Sequence, residues 1–215
     1  MKTYTIIPAH NEEEHIAKVI EETKTYTQNI IVVDDGSIDK TYDVAKKTGV
    51  IVLRHVINLG KGAALKTGCD YAIKNGAKIL VNLDSDGQHD PAEIPKFLEA
   101  LETADLVKGT RKFDGSMPFI KRAWNFTISK LFSRLYGKGV YDQQCGFRAL
   151  TAETYEKIRW KSTDYLVETE ILVNLLKVGL KLKEVPIKTI YLKNHGGVNP
   201  SYGFRHLAAM LLWRL

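Results

Sequence analysis

The sequence has few of the features that mark exported, membrane-spanning or disulfide-stabilised proteins. Its 215 residues include two cysteines, Cys69 and Cys145, in unrelated contexts, which predicts reduced thiols. No run reaches about 18 apolar residues, and the N-terminus has no signal-peptide pattern, so we expect neither a transmembrane span nor export. The hydrophobic content of 44% and charged content of 26% are typical of a globular domain.

Fingerprints for nucleic acids and for common nucleotide cofactors are also missing. There is no aromatic-rich strand platform and no helix-turn-helix pattern, so we expect no nucleic-acid partner. Gly60-Lys61-Gly62 has the glycine spacing of neither a P-loop nor a dinucleotide-binding motif. Lys61, at a predicted helix start, can receive a phosphate, but the two glycines can equally serve only a tight turn.

Charge is distributed unevenly along the chain. Up to Asp105 there are 12 Lys and Arg against 17 Asp and Glu, a net charge of −5. From Leu106 onward there are 19 against 8, a net charge of +11. The basic half therefore predicts an anionic partner or surface, although a solvated basic face is the simpler explanation of such an excess.

Short apolar runs alternate with helical patterns through the first half of the chain. We expect strands near residues 4–7, 30–33, 50–53, 79–83 and 105–109, with helices between them. This spacing predicts right-handed βαβ units, hence an α/β fold with a mostly parallel sheet. Ligands of such sheets bind beyond the carboxyl ends of the strands, where four polar clusters lie: Pro8–Glu12, Asp34–Ser37, Asn58–Gly62 and Asp84–Gln88.

The last of these clusters has the clearest chemistry. Asp84 and Asp86 are two residues apart beyond a strand, so both carboxylates can point at one spot. Converging carboxylates suit a hard cation such as Mg²⁺ or Mn²⁺ shared with a diphosphate, and Gln88 and His89 are near enough to add a ligand or a hydrogen bond. The other interpretation is an acidic loop without a metal.

Three polar residues are predicted to begin helices. Asn11 and Ser37 each precede a helical pattern, and Asp90 precedes Pro91 at a first helical position, with Glu93 completing a capping box.

Two segments combine apolar and basic residues at helical spacing. Residues 118–136 and 202–215 both suit a membrane interface with anionic headgroups, which we favour, and also suit packing on the domain or a partner. Between them, Arg148 can clamp a phosphate or be a surface arginine. Glu168 and Glu170 lie on different faces of a predicted helix, so we expect at most one of them to face a site.

Six ordered motifs together resemble the family-2 glycosyltransferases of GT-A fold, and more narrowly the polyprenyl-phosphate glycosyltransferases, including dolichyl-phosphate mannose synthases. The motifs are Pro8-Ala-His-Asn-Glu12, Asp34-Asp-Gly-Ser37, Asn58-Leu-Gly-Lys-Gly62, Asp84-Ser-Asp-Gly-Gln88, Gly109-Thr-Arg111 and Cys145-Gly-Phe-Arg148. The resemblance covers almost all of residues 4–195. It implies a nucleotide-sugar donor, such as GDP-mannose or UDP-glucose, a divalent metal, and inversion at the anomeric carbon.

The site residues expected from the motifs and the resemblance fall into three groups. Those expected to bind substrate are Pro8, Ala9, Asn11, Glu12, Asp34, Asp35, Lys61, Ser85, Arg111, Arg148 and Lys193. Those expected to hold Mg²⁺ or Mn²⁺ are Asp84, Asp86 and Gln88. Those expected to be catalytic are Asp86, Arg148 and Asp142.

The resemblance also implies the acceptor and the location. A polyprenyl or dolichyl phosphate is already anionic at neutral pH and attacks with little help from a base, so positioning dominates. A rival acceptor, a sugar hydroxyl in polysaccharide synthesis, needs a base, for which Asp142, Glu168 or Glu170 are candidates. A catalytically silent binding module is the third hypothesis. We expect a cytoplasmic protein associated peripherally with the inner face of the cell membrane.

The C-terminal part departs from the family pattern. Relatives usually carry Gly-x-Ser-Lys near Lys193, where this chain has Lys193-Asn-His-Gly-Gly-Val-Asn-Pro200. Lys193, His195 or Arg205 are the candidates to replace that lysine. The expected organisation is a GT-A domain over residues 1–195, which includes the amphipathic helix at about 118–136, followed by a C-terminal amphipathic helix over 196–215.

Overall fold

The computed structural model describes residues 1–111, 119–188, 190 and 200–214, which form a seven-stranded sheet with helices on both faces. The strands are β1 (Thr3–Ala9), β2 (Asn29–Asp34), β3 (Ile51–Arg54), β4 (Ile79–Asn82), β5 (Leu106–Arg111), β6 (Arg148–Thr151) and β7 (Leu182–Ile187). The helices are α1 (Ile16–Lys24), α2 (Thr41–Lys47), α3 (Lys61–Lys74), α4 (Ile94–Leu101), α5 (Phe119–Tyr136), α6 (Ala152–Lys157), α7 (Val167–Lys177) and α8 (Pro200–Leu212).

The sheet order is β3-β2-β1-β4-β6-β5-β7. Strands β1 to β4 pair in parallel, β6 runs antiparallel between β4 and β5, and β7 pairs in parallel with β5. This confirms the expected mixed, mostly parallel sheet. The sequence did not reveal β6, because its four residues, Arg148-Ala-Leu-Thr151, include no apolar run like those of the equally short β3 and β4. Pro186 lies within β7, where an edge position tolerates the missing N–H.

Alternating side chains of the central strands supply two cores. Ile7 joins α1 and α4 on one face of the sheet, and Ile6 joins α3 and α7 on the other. Both faces of the sheet are thus covered. Because β1, β2, β4 and β5 run in the same direction, their carboxyl ends lie at one edge of the sheet.

The helix starts differ in part from the predictions. Asp90 caps its helix as expected, accepting from the N–H of Ala92, although a 3₁₀ turn over Pro91–Glu93 precedes α4. The predictions for Asn11 and Ser37 were wrong, because α1 begins at Ile16 and α2 at Thr41. Asn11 instead has a positive φ of 56°, a conformation that asparagine tolerates better than most residues.

Helices α5 and α8, which lie in the two amphipathic segments, pack on the domain. Ile128 and Phe132 of α5 and Met210 of α8 share an apolar cluster with Leu172 of α7, and the hydroxyl of Tyr136 donates to the Met210 carbonyl at 2.6 Å. Much of the described apolar surface of both helices is thus used internally, the alternative that the sequence left open. Within the described residues, no helix is long and apolar enough to cross a membrane.

Candidate active site

One cleft opens at the carboxyl ends of the parallel strands. Among the residues that line it, eight belong to the predicted site: Pro8, Ala9, Glu12, Asp35, Lys61, Asp84, Ser85 and Asp86. They come from the segments after β1, β2, β3 and β4, as the strand-end argument requires. His10, Asn58, Gly60, Ala64 and Tyr165 complete the described lining.

Asp35 fixes one wall of the cleft. Its carboxylate accepts hydrogen bonds from the backbone N–H groups of Leu59 at 2.9 Å and Gly60 at 2.7 Å, and His55 Nδ1 lies 2.7 Å away. These bonds hold the turn that precedes α3 against the end of β2. Gly60 has φ of 97°, which disfavours any residue with a side chain.

Asn11 and Asp34 lie behind this wall. The Asn11 side chain accepts from the N–H of Ile38, and the Asn11 N–H donates to the Ser37 hydroxyl, so the turns after β1 and β2 are tied together. Asp34 is fully buried and pairs with Arg54 at 2.9 Å. Their contacts support the walls that carry Glu12 and Asp35, and their expected role in substrate binding stays a prediction.

Lys61, in the first turn of α3, reaches the acidic corner of the cleft, which is formed by Asp84 and Asp86. Its Nζ lies 2.6 Å from Asp84 Oδ1 and 2.8 Å from Glu168 Oε1. Burial alone lowers the pKa of Lys61, but the charges of Asp84 and Glu168 outweigh it and raise the pKa above its ordinary value. For Asp84, burial raises the pKa, whereas the Lys61 charge and other nearby cations lower it further, to about 2. Both groups are therefore ionised at neutral pH.

Gly146 makes this contact possible. A Cβ at position 146 would lie 2.5 Å from Asp84 Oδ2 and 2.7 Å from Lys61 Nζ. Any side chain there would displace one of the two charged groups. The Cys145-Gly-Phe-Arg148 motif thus includes a glycine that is needed for close approach, a role that the sequence did not indicate.

Gln88 lies beside Asp86. Its side-chain amide donates to Asp86 Oδ2 at 2.7 Å, and its backbone N–H donates to Asp86 Oδ1 at 3.0 Å. Gln88 therefore orients Asp86, which lines the cleft, and its expected role as a metal ligand stays a prediction.

Asp84 and Asp86 fit a divalent cation of the Mg²⁺ or Mn²⁺ class. Both supply carboxylate oxygens to one cleft. Across the described part of the chain, no three His, Cys, Asp or Glu side chains gather into a metal-binding group. Magnesium commonly takes one or two carboxylates and completes its coordination with water and phosphate oxygens, so two carboxylates in an open cleft suit a shared cation.

Arg148 lies beneath the cleft and is 1% exposed. Its Nη2 is 2.5 Å from Glu168 Oε2 and donates to the Glu168 carbonyl at 3.0 Å. This buried ion pair excludes the surface arginine considered from the sequence, whereas the phosphate clamp and the catalytic role of Arg148 stay predictions. A row of alternating charges therefore runs through Asp84, Lys61, Glu168 and Arg148. Glu170 faces elsewhere, as expected, and accepts from backbone N–H groups at residues 161 and 162.

Arg111 and Asp142 form a second buried pair at the same edge of the sheet. Arg111 donates through Nε at 2.7 Å and Nη2 at 2.6 Å, one to each oxygen of Asp142. Burial alone raises the pKa of Asp142, but the hydrogen bonds and charge of Arg111 bring it below its ordinary value. Lys108, which the sequence did not single out, donates to the carbonyl groups of Tyr141 and Asp142 and so holds this loop.

The C-terminal candidates are only partly described. Lys193 and His195 lie outside the described residues. Arg205 pairs with Asp164 at 2.9 Å on the exposed side of α8. The expected domain boundary at residues 195 and 196 likewise lies outside the described residues and stays a prediction.

The comparisons with known proteins identify the family. The sequence model of Glycosyl transferase family 2 matches residues 4–159, so the chain belongs to that family and is a glycosyltransferase. It is 33% identical to a UDP-N-acetylglucosamine--dolichyl-phosphate N-acetylglucosaminyltransferase of Methanococcus voltae, over 99% of this chain and 96% of that protein. It is 31% identical to the polyprenol monophosphomannose synthase of Mycolicibacterium smegmatis, over 86% of this chain and 76% of that protein.

A solved structure confirms the fold class. Glucosyl-3-phosphoglycerate synthase from Mycobacterium tuberculosis, crystallised with Mn²⁺, UDP-glucose and phosphoglyceric acid, matches with a TM-score of 0.79 at 22% identity. The match covers 99% of this chain and 79% of that one. The fold is GT-A, as the six motifs implied.

Proposed function

We propose that this protein transfers a sugar from a UDP- or GDP-sugar to a polyprenyl phosphate, with inversion at the anomeric carbon and dependence on Mg²⁺ or Mn²⁺. The sugar is a hexose, such as mannose or glucose, or an N-acetylhexosamine. The two named relatives support this acceptor, since one acts on a dolichyl phosphate and the other makes a polyprenol monophosphomannose.

The observation that carries the proposal is the meeting of eight predicted residues in one cleft. Pro8, Glu12 and Asp35 form the end suited to a nucleoside, and Asp84 and Asp86 form the end suited to a cation and a diphosphate. A divalent cation held by Asp84 and Asp86 would neutralise negative charge on the departing nucleoside diphosphate. The Lys61 ammonium group adds positive charge at the same corner.

The state of the three candidate bases supports the proposed acceptor. Asp142 accepts from Arg111 with both oxygens, Glu168 lies between Lys61 and Arg148, and Glu170 binds backbone N–H groups. A sugar hydroxyl would need a free base within hydrogen-bond reach. A lipid phosphate needs none, so the arrangement favours the lipid phosphate over the sugar hydroxyl. Asp142 then acts by positioning Arg111.

The described surface of α5, α8 and the residues after α8 supports a peripheral membrane location. Leu211 and Leu212 are 54% and 69% exposed, and Arg214 lies beside them. Lys130 and Arg134 of α5 are exposed as well. Apolar and basic side chains together suit the surface of a bilayer with anionic lipids, and the proposed acceptor lies at the cytoplasmic face.

A transfer assay tests this proposal. The purified chain is incubated with a detergent-solubilised polyprenyl phosphate and UDP-N-acetylglucosamine, UDP-glucose or GDP-mannose, with Mn²⁺ or with EDTA. Mass spectrometry should find a lipid phosphate enlarged by one sugar, from one donor and only with metal. Transfer to a sugar hydroxyl instead, or donor and metal binding without transfer to any acceptor, would contradict it.

The donor can be identified separately by thermal unfolding. A nucleotide sugar that binds only the native state raises the midpoint temperature, so the preferred base and sugar should give the largest rise, and Mn²⁺ should increase it. Vesicle sedimentation tests the membrane contact, since Leu211→Asp combined with Leu212→Asp should lower binding to anionic vesicles about tenfold or more. Equal sedimentation of both proteins would exclude this surface.

A further inference from the structure

Lys61 contacts one of the two carboxylates that fit the divalent cation. Its Nζ is 2.6 Å from Asp84 Oδ1, and the side chain is 14% exposed. A cation bound to Asp84 would therefore lie within a few ångströms of an ammonium group of the same charge sign. At such a separation the repulsion between the two positive charges opposes binding of the divalent cation.

The backbone around Lys61 is fixed, so the ammonium group cannot leave by a shift of the main chain. The carbonyl of Thr163 lies only 2.4 Å from where a Cβ of Gly60 would be, and the carbonyl of Ser162 only 2.3 Å from that of Gly62. Trp160 Nε1 donates to the Gly62 carbonyl at 2.9 Å. The start of α3 is thus packed against the segment that precedes α7.

The side chain has a second acceptor, however. Glu168 Oε1 lies 2.8 Å from Nζ, on the buried side of Lys61, and Arg148 holds the other oxygen of Glu168. A small rotation of the Lys61 side chain can transfer its contact from Asp84 to Glu168. The ammonium group would then remain paired while Asp84 becomes free for another cation.

We propose that Lys61 is a built-in counter-ion that competes with the divalent cation for Asp84, and that Glu168 is the positioning residue that keeps the ammonium group when the cation binds. This rests on the proposed function, because it takes Asp84 and Asp86 as the cation site. The consequence is weak metal binding by the free protein and tight binding only with a nucleoside diphosphate, whose oxygens complete the coordination and whose charge attracts both cations.

The test uses Mn²⁺ alone, titrated calorimetrically into the full chain without nucleotide. Lys61→Met should bind Mn²⁺ at least about tenfold more tightly than the unchanged protein, because the competing charge is gone. Lys61→Arg keeps the charge and should stay within about threefold. Lys74→Met is the control for net charge, since it removes an exposed ammonium group from the last turn of the same helix, and it should change nothing.

Glu168→Gln should change the Mn²⁺ affinity in the opposite direction. It also tests the proposal if Lys61→Met does not fold, as judged by circular dichroism. Without the charge of Glu168, the ammonium group should stay on Asp84 and weaken Mn²⁺ binding about threefold or more. A purely structural role would weaken binding in both variants. Weaker or equal binding by folded Lys61→Met, or stronger binding by Glu168→Gln, would overturn the proposal.

A repeat of the Mn²⁺ titration with UDP present distinguishes the failure of the counter-ion proposal from the failure of the proposed function. Mn²⁺ binding that needs Asp86 but is insensitive to Lys61 would overturn the counter-ion and leave the metal site intact. If folded wild-type and Lys61→Met proteins bound no Mn²⁺ even with UDP, both the counter-ion and the metal part of the proposed function would fall.

Discussion

The two halves of the chain use their charges in opposite ways. In residues 1–105, with a net charge of −5, the carboxylates of Glu12, Asp35, Asp84 and Asp86 line an open cleft. In the remainder, with a net charge of +11, three cations are spent on carboxylates of the same half: Lys108 on Glu184, Arg111 on Asp142 and Arg148 on Glu168. In the acidic half Asp35 holds a wall of the cleft and Asp84 and Asp86 face a ligand, whereas part of the basic half supports the site from behind.

The basic side chains of the second half are only partly exposed to a partner. The excess of positive charge predicted an anionic partner, yet the three cations above are 20% exposed or less. Exposed basic residues such as Lys130, Arg134 and Arg214 remain for an anionic surface. A count of charges therefore overstates the charge that a partner can meet.

The largest expected effect tests the acidic half. Asp86→Asn should lower the rate of metal-dependent sugar transfer about a thousandfold, because a charged oxygen donor is lost where the leaving group gains charge. Its urea unfolding curve should match that of the unchanged protein, since Asp86 lies at the cleft surface. Transfer within about tenfold of the original rate would show that the acidic corner is not where the donor is activated.

Removal of a buried ion pair from the basic half should lower the stability of the fold. Arg148→Met leaves Glu168 without one of its two cations and should lower the free energy of unfolding by about 3 kcal/mol or more, measured in urea. Arg159→Met is the matched control, because its pair with Asp70 is about one third exposed and should be worth less than about 1 kcal/mol. Equal losses in both variants would remove the distinction between buried and surface cations.

Gly146 sharpens the comparison at the point where the halves meet. Gly146→Ala places a methyl group among the charged atoms of Lys61 and Asp84, so transfer should fall about ten- to a hundredfold. Gly139→Ala is the control, because a Cβ there has no neighbour within 4 Å, and it should be silent. Unchanged transfer by Gly146→Ala would mean that the site tolerates the displacement of Lys61 or Asp84.

The smallest effect concerns the acid sensitivity of the Arg111–Asp142 pair. The folded-state pKa of Asp142 lies below its ordinary value, so its contribution to stability is present above about pH 4 and is lost as the pH falls below that. Asp142→Asn should lower stability at pH 7 and make the decline between about pH 5 and pH 2 shallower. Chemical unfolding at pH 7, 5 and 3 measures this, and parallel pH curves for the two proteins would refute it.

The difference between the halves also explains what the sequence could predict. The parallel strands and their polar ends follow from local apolar runs, so the edge that carries Asp35, Asp84 and Asp86 was predictable from neighbouring residues alone. The short strand β6 and the pairs of Arg148 and Arg111 depend on residues distant in sequence. No local pattern indicates that Glu168 meets Lys61 from another helix, or that Gly146 has to lack a side chain.

The most direct test of the account is crystallography with Mn²⁺ and UDP soaked into the protein. Anomalous scattering at the manganese absorption edge should give a peak bound by oxygens of Asp84 and Asp86 and by the UDP diphosphate, with the Lys61 ammonium group moved toward Glu168. A fully occupied UDP with no manganese at these two carboxylates would contradict the metal-assisted mechanism of sugar transfer.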